Sequence, residues 1–80
     1  MGGKKSRITN HIKRIRLART DMTQAEMARR AGATRQTIIA IEAEKYAPSL
    51  ELAFRIAHIL SVPVDELFQF DPSGMEAEEG

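Results

Sequence analysis

Eighty residues, 42% hydrophobic and 29% charged, without cysteine and with a formal net charge of +1, suit one small domain. That excludes a disulfide frame, a thiolate metal site, a thiol nucleophile and a catalytic cleft between domains. The near neutrality hides a division, since residues 1–35 carry ten Lys or Arg against two acids and residues 36–80 carry two against nine; the basic half can attract phosphate locally, because charge is felt over about 10 Å.

Residues 1–6, MGGKKS, are glycine-rich and basic with no apolar periodicity, as expected of a disordered arm or of residues left from cloning. Arg7-Ile8-Thr9 is β-prone, and Ile12 and Ile15, continued by Ala18 or Arg19, have helical spacing. A first helix is therefore expected from His11 to Thr20, capped by Asn10. Thr23 can cap a second helix, Gln24 to Ala31, by accepting from the backbone N–H of Ala25 or Glu26, with Glu26 bonding back as a capping box. Met27, Ala28 and Ala31 share its inner face, and Gly32 supplies the left-handed residue that ends it. Thr34 can cap a third helix, Arg35 to Ala43, whose Ile38 and Ile41 face inward while Arg35, Gln36, Thr37, Ile39 and Ala40 are left outward.

Lys45 to Pro48 reads as a loop, and Ser49 as the cap of a fourth helix ending near Leu60, with Leu52, Ala53, Ile56, Ala57 and Leu60 toward the core. Val62-Pro63-Val64 leads into a short fifth helix, Asp65 to Leu67, after which Phe68-Gln69-Phe70 alternates like a strand. A lone three-residue strand needs a partner, and Arg7-Ile8-Thr9 is the available one. Their pairing would gather Ile8, Phe68 and Phe70, with Leu67 beside them, into an apolar patch. Either a two-fold dimer buries that patch or the phenylalanines close the monomer core. Residues 71–80 are acidic with Pro and Gly, as expected of a disordered tail, which leaves residues 7–70 as the folded domain.

Two short helices joined by a glycine turn form a helix-turn-helix, whose second helix lies in the major groove of DNA. The alternative is a helical hairpin with a solvated polar face. The chemistry that opens the third helix favours DNA, because Arg35 can fork onto guanine O6 and N7 and Gln36 can pair with adenine. His11 and His58 lie far apart without acidic partners at ligand spacing, and Asp65 and Glu66 are adjacent rather than facing, so no metal, no cofactor and no catalytic residue is expected. AFRIAHILSV is interrupted by Arg55 and His58, and the N-terminus lacks a signal-peptide core. A soluble cytoplasmic protein is expected.

Residues from about Asn10 to Phe70 resemble the Cro/cI-type (Xre) helix-turn-helix transcriptional regulators. TQAEMARRAGATRQTIIAIE is similar to that family's second helix, turn and third helix, and KYAPSLELAFRIAHILSVPVDELF to its fourth and fifth helices. The resemblance implies an all-α, five-helix lambda-repressor-like DNA-binding domain; the ending DELFQF resembles a subset of very small repressors with a terminal two-stranded antiparallel sheet that act as homodimers on palindromic operators. Carried onto this chain, it implies that Thr23 and Gln24, Thr34, Arg35, Gln36, Thr37, Ile39 and Ala40, and Lys45 and Tyr46 face DNA. Gln24 would bond phosphate and brace Gln36, Lys45 and Tyr46 would touch the backbone, and Glu42 would pair with Arg16. Three departures stand out. LARTDM is one residue longer than the usual linker, Ala43-Glu44 replaces Asn-Gly after the third helix, and Ile39 and Ala40 stand where polar residues are common, fitting a thymine methyl instead. The expected function is sequence-specific binding of double-stranded DNA as a homodimeric repressor, with Arg29 or Arg30 on phosphate. The alternatives are an antitoxin or other protein-interaction module, and a controller-type activator on the same fold.

Overall fold

Among residues 7–73, the part of the chain that the computed structural model describes, the elements are β1 (Ile8–Asn10), α1 (Ile12–Arg19), α2 (Gln24–Ala31), α3 (Arg35–Glu42), α4 (Leu50–Leu60), α5 (Val64–Leu67) and β2 (Phe68–Phe70). The expected arm at residues 1–6 lies outside this part, as do residues 74–80 of the expected tail. The architecture is the expected five helices with one small antiparallel sheet.

Three of the helices, α2, α3 and α4, start on a hydroxyl. The Thr23 side chain accepts from the Glu26 N–H, Thr34 from Thr37 and Ser49 from Leu52; each such cap is worth about 1 kcal/mol. The reciprocal half of the capping box does not form, because the Glu26 carboxylate is taken by Arg29 and Arg30 at 2.6 and 2.9 Å. The first helix begins differently from expectation. Asn10 lies in β1, one residue before His11, yet its Oδ1 still accepts from the Ile12 N–H at 3.0 Å.

The ends of α2, α3 and α4 share one device. Gly32, Glu44 and Ser61 have φ of 74°, 63° and 60°. In each case the following N–H reaches back to close the last turn: Ala33 to Ala28 O, Lys45 to Ala40 O and Val62 to Ala57 O. Glycine takes this conformation freely, whereas Glu44 and Ser61 each forgo roughly 1–2 kcal/mol for it. The third helix therefore stops at Glu42 rather than Ala43, and Glu44 supplies the left-handed residue that the resemblance assigns to an Asn-Gly pair.

The core is one cluster of Ile12, Ile15, Met27, Ala28, Ala31, Ile38, Ile41, Ile56, Ala57, Leu60, Val62 and Leu67. Full burial of each large side chain contributes about 1.5–3 kcal/mol, and small Ala28 and Ala31 let α2 lie close to its neighbours. Two expectations are corrected here. The third inward position of α1 is Arg16, with Ala18 and Arg19 exposed. Leu67 has 0% exposure and belongs to the monomer core, so it cannot serve a dimer surface.

β1 and β2 pair antiparallel with Ile8 opposite Phe70, Thr9 opposite Gln69 and Asn10 opposite Phe68. The His11 N–H donates to Leu67 O and the Asp71 N–H to Arg7 O, extending the ladder at both ends. Phe68 packs partly against the core, and Phe70 remains 50% exposed. No helix among the described residues is long and apolar enough to cross a membrane.

Candidate nucleic-acid interface

The placement of α3 rests on a buried ion pair. Arg16 Nε donates to Glu42 Oε2 at 2.9 Å and Nη2 to Oε1 at 3.3 Å, with the two side chains 7% and 4% exposed. Burying a charge is tolerated only when every polar group finds a partner. Here Arg16 Nη1 donates to Met22 O at 3.0 Å and the Gln24 amide donates to Glu42 Oε1 at 3.0 Å. The guanidinium thus ties α1 to the last turn of α3 and to the segment leading into α2.

The longer α1–α2 linker is absorbed locally, and the Arg16 register survives. Thr20 takes an extended conformation; its hydroxyl donates to Arg16 O at 2.7 Å and accepts from the Met22 N–H at 3.0 Å. Met22 is thereby tucked partly against the core, with its carbonyl aimed at Arg16.

A further arginine fixes α2 against α4. Arg55 Nη1 donates to Ala31 O at 3.2 Å and Nη2 bonds Glu51 at 2.7 Å, so a cation lies against the carbonyl end of α2. A Cβ on Gly32 would lie 2.9 Å from Arg55 Nη1, the movable end of a half-exposed side chain, so the requirement for glycine is mainly conformational.

What this scaffold presents is the start and outer side of α3. Thr34, Arg35 and Gln36 are exposed, while Thr37, Ile39 and Ala40 are half-buried beside them. Thr34 caps the helix through the Thr37 N–H at 3.1 Å, with the two hydroxyls 2.9 Å apart. Among the described residues the Arg35 guanidinium and Gln36 amide bond no other side chain. Lys45 and Tyr46 are exposed just beyond α3, and Thr23 is exposed at the start of α2. Gln24 lies next to Thr23, but its bond goes to Glu42 rather than to Gln36.

Arg29 and Arg30 are exposed on α2, and Arg30 borders a groove with Thr23 and Glu26. Both arginines bind Glu26, and Arg30 also borders the groove formed with Phe54, Arg55, His58 and Ile59 of α4. The Arg30 bond, then the Arg29 bond, holds the Glu26 carboxyl below the usual carboxylate range. Asp71 is likewise lowered, by bonds from the Ser73 backbone and side chain, and sits across from Arg7. No cluster of three metal-ligating side chains occurs among the described residues.

A second surface surrounds the sheet. Ile8 and Phe68 border an apolar groove with Ala47, Pro48, Leu50, Ala53 and Val64, and Phe70 stands at its edge of the molecule on the strand residue opposite Ile8. Leu50 is 74% exposed. Glu44 stands out from sequence only as a departure from the family pattern, and two further groups that shape these surfaces, Thr20 and Arg55, are given no such role there. Of these two, only Arg55 carries a readable signal, being four residues after Glu51 at helical spacing.

Comparison with known proteins agrees with this architecture. Residues 12–67 match the family model described as Helix-turn-helix. An uncharacterized HTH-type transcriptional regulator of Archaeoglobus fulgidus is 45% identical over 60 residues, covering 75% of this chain and 83% of that protein. One from Methanothermobacter thermautotrophicus is 50% identical over 54 residues, covering 66% and 78%. The crystal structure of a candidate DNA-binding protein from Bacteroides fragilis superposes with a TM-score of 0.69 at 26% identity, covering 78% of this chain and 98% of that one.

Proposed function

The chain belongs to the Cro/cI-type (Xre) helix-turn-helix family of transcriptional regulators, and from that membership we propose that it is a repressor that binds a palindromic operator as a homodimer. The observation that carries the reading is the state of α3. Its inner side is fixed by buried Ile38, Ile41 and the Glu42 pair, while Arg35 and Gln36 project outward from a capped N-terminus. Donors of this kind, without a side-chain partner among the described residues, satisfy base edges in the major groove without first breaking such bonds.

In this reading Arg35 bonds guanine, Gln36 bonds adenine, and Ile39 and Ala40 meet thymine methyls. Thr23, Gln24, Thr34 and Thr37 bond phosphate near the helix N-termini, where backbone N–H groups favour anions. Lys45 and Tyr46 follow the backbone. The Gln24 amide keeps its bond to Glu42 in this scheme, and its carbonyl oxygen orients the neighbouring donors.

Dimerisation through Ile8, Phe68 and Phe70 would cover the groove beside the sheet and set two α3 helices about 34 Å apart, one turn of DNA. Occupancy of a promoter then excludes polymerase. The test is selection of bound sequences from random duplex DNA, with the bound species sized by light scattering. A palindromic motif bound by two chains is the expected result. A motif with no two-fold symmetry contradicts the dimer, and binding without preference contradicts the assignment of α3.

A protein-interaction role has one observation in its favour, the exposed Leu50 and Phe54 four residues apart on α4. A stable co-purifying protein whose binding is lost in Phe54→Ala, with no duplex selected, would establish that role instead.

A further inference from the structure

The junction between β1 and the end of α3 is bonded more fully than a helix stop requires. The Asn10 N–H donates to Glu44 Oε2 at 3.2 Å, and the Asn10 amide donates to Ile41 O at 2.8 Å while its Oδ1 receives the Ile12 N–H at 3.0 Å. One side chain thus joins the first turn of α1 to the last turn of α3. Asn10 is at the same time the strand residue opposite Phe68, in a pair whose N–H and C=O groups point away from the partner strand by the alternation of an antiparallel ladder. Its N–H is therefore available to Glu44, and the carboxylate occupies it. Glu44 in turn holds a left-handed conformation, and Lys45 N–H and Glu44 N–H close back on Ala40 and Ile41. The two residues that follow, Lys45 and Tyr46, are exposed.

We propose that Asn10 and Glu44 are positioning residues for DNA binding: together they clamp the end of α3 to β1 and fix the course of the chain at Lys45 and Tyr46. The inference rests on the reading of α3 and this loop as a DNA surface. A carboxylate next to a phosphate-facing lysine would ordinarily oppose an anion. Turned onto the Asn10 N–H, the same carboxylate is directed into the protein and stiffens the loop. Because Asn10 sits in β1, the clamp also makes the terminal sheet and the reading helix one mechanical unit, so that a dimer built on the sheet fixes the spacing of the two reading helices.

The test uses the whole chain and a duplex selected from random DNA. Glu44→Ala keeps the left-handed residue and removes the carboxylate. It is expected to speed amide exchange at Asn10 and Lys45 while Ile38 and Ile56 stay protected, and to weaken duplex binding about five-fold, within the range of coupling between contacting residues. Glu44→Gln, which retains an acceptor oxygen, restores both. In a chain already carrying Lys45→Ala and Tyr46→Ala, Glu44→Ala adds no further loss, which a general loss of stability would not reproduce. Glu44→Gly relieves the backbone and is expected to melt no lower than the parent yet bind more weakly. Glu44→Ala and Glu44→Gly proteins that bind as tightly as the parent overturn the clamp. A parent chain that selects no duplex overturns the DNA reading itself, and the exchange measurement then judges the clamp alone.

Discussion

The two sides of α3 use charged and polar groups in opposite ways. On the inner side, Glu42 is buried and takes bonds from Arg16 and Gln24. On the outer side, Arg35 and Gln36 are exposed and bond no other side chain among the described residues. The difference separates holding from reading. A buried, fully bonded group fixes the helix but has nothing left to offer a ligand, whereas an exposed donor contributes little to the fold and retains its bonding capacity. The exposed ion pairs of α2 and α4 belong to neither class, since Glu26 with Arg29 and Arg30, and Glu51 with Arg55, are open to solvent that weakens them.

The sharpest break of this contrast is Glu42→Ala, which strands the Arg16 charge in the core. It should cost about 3–5 kcal/mol of stability, measured by chemical denaturation; a cost below about 1 kcal/mol would mean that the pair does not hold α3. Arg35→Ala should do the reverse. The melting temperature should stay within error of the parent while operator affinity falls by about 1–3 kcal/mol and preference relaxes at one base pair. Equal effects on stability and binding would erase the distinction between the two sides.

Gly32→Ala places a side chain at φ 74° and 2.9 Å from Arg55 Nη1, so a loss of about 1–2 kcal/mol is expected in thermal unfolding. Arg55→Ala introduced first should leave that loss nearly unchanged, because the guanidinium end can move aside and the cost is mainly conformational. The smallest effect concerns Glu26. Its pKa is lowered in the folded chain by Arg30 and Arg29, so its contribution is complete above the unfolded value, about 4.3, and is lost as pH falls through the lower folded value. Denaturation followed across the acid range should therefore show a slightly shallower decline in Glu26→Gln than in the parent; identical declines would show that these exposed bonds add nothing.

Much of the fold can be read from the chain because its signals are local. Thr23, Thr34 and Ser49 each stand one residue before a helix and cap it, and Gly32 marks the turn by its own conformational freedom. The α2 limits and the end of α4 follow from those signals and from the spacing of apolar residues. What escapes sequence depends on distant partners. By periodicity Arg16 reads as a surface residue, with Ala18 and Arg19 the inward candidates; only the family resemblance pairs it with Glu42, and its bond to Met22 O emerges from the fold alone. Leu67 sits beside two phenylalanines in sequence, yet the turn into β2 sends it into the core. Glu44 has no left-handed signature of its own, and its role emerges only when β1 is laid across the end of α3. On the candidate interface, residue identity points to Arg35 and Gln36, whereas the Gln24 bond to Glu42 emerges only when α2 and α3 pack together.

The most direct measurement is a titration of isotope-labelled protein with its selected duplex, following backbone and side-chain resonances residue by residue. The account predicts changes concentrated at Thr23, Gln24, Thr34 to Thr37, Ala40, Lys45 and Tyr46, with intermolecular contacts from Arg35 and Gln36 to base protons. Changes centred instead on Leu50, Phe54 and His58 of α4, with α3 unperturbed, would contradict it.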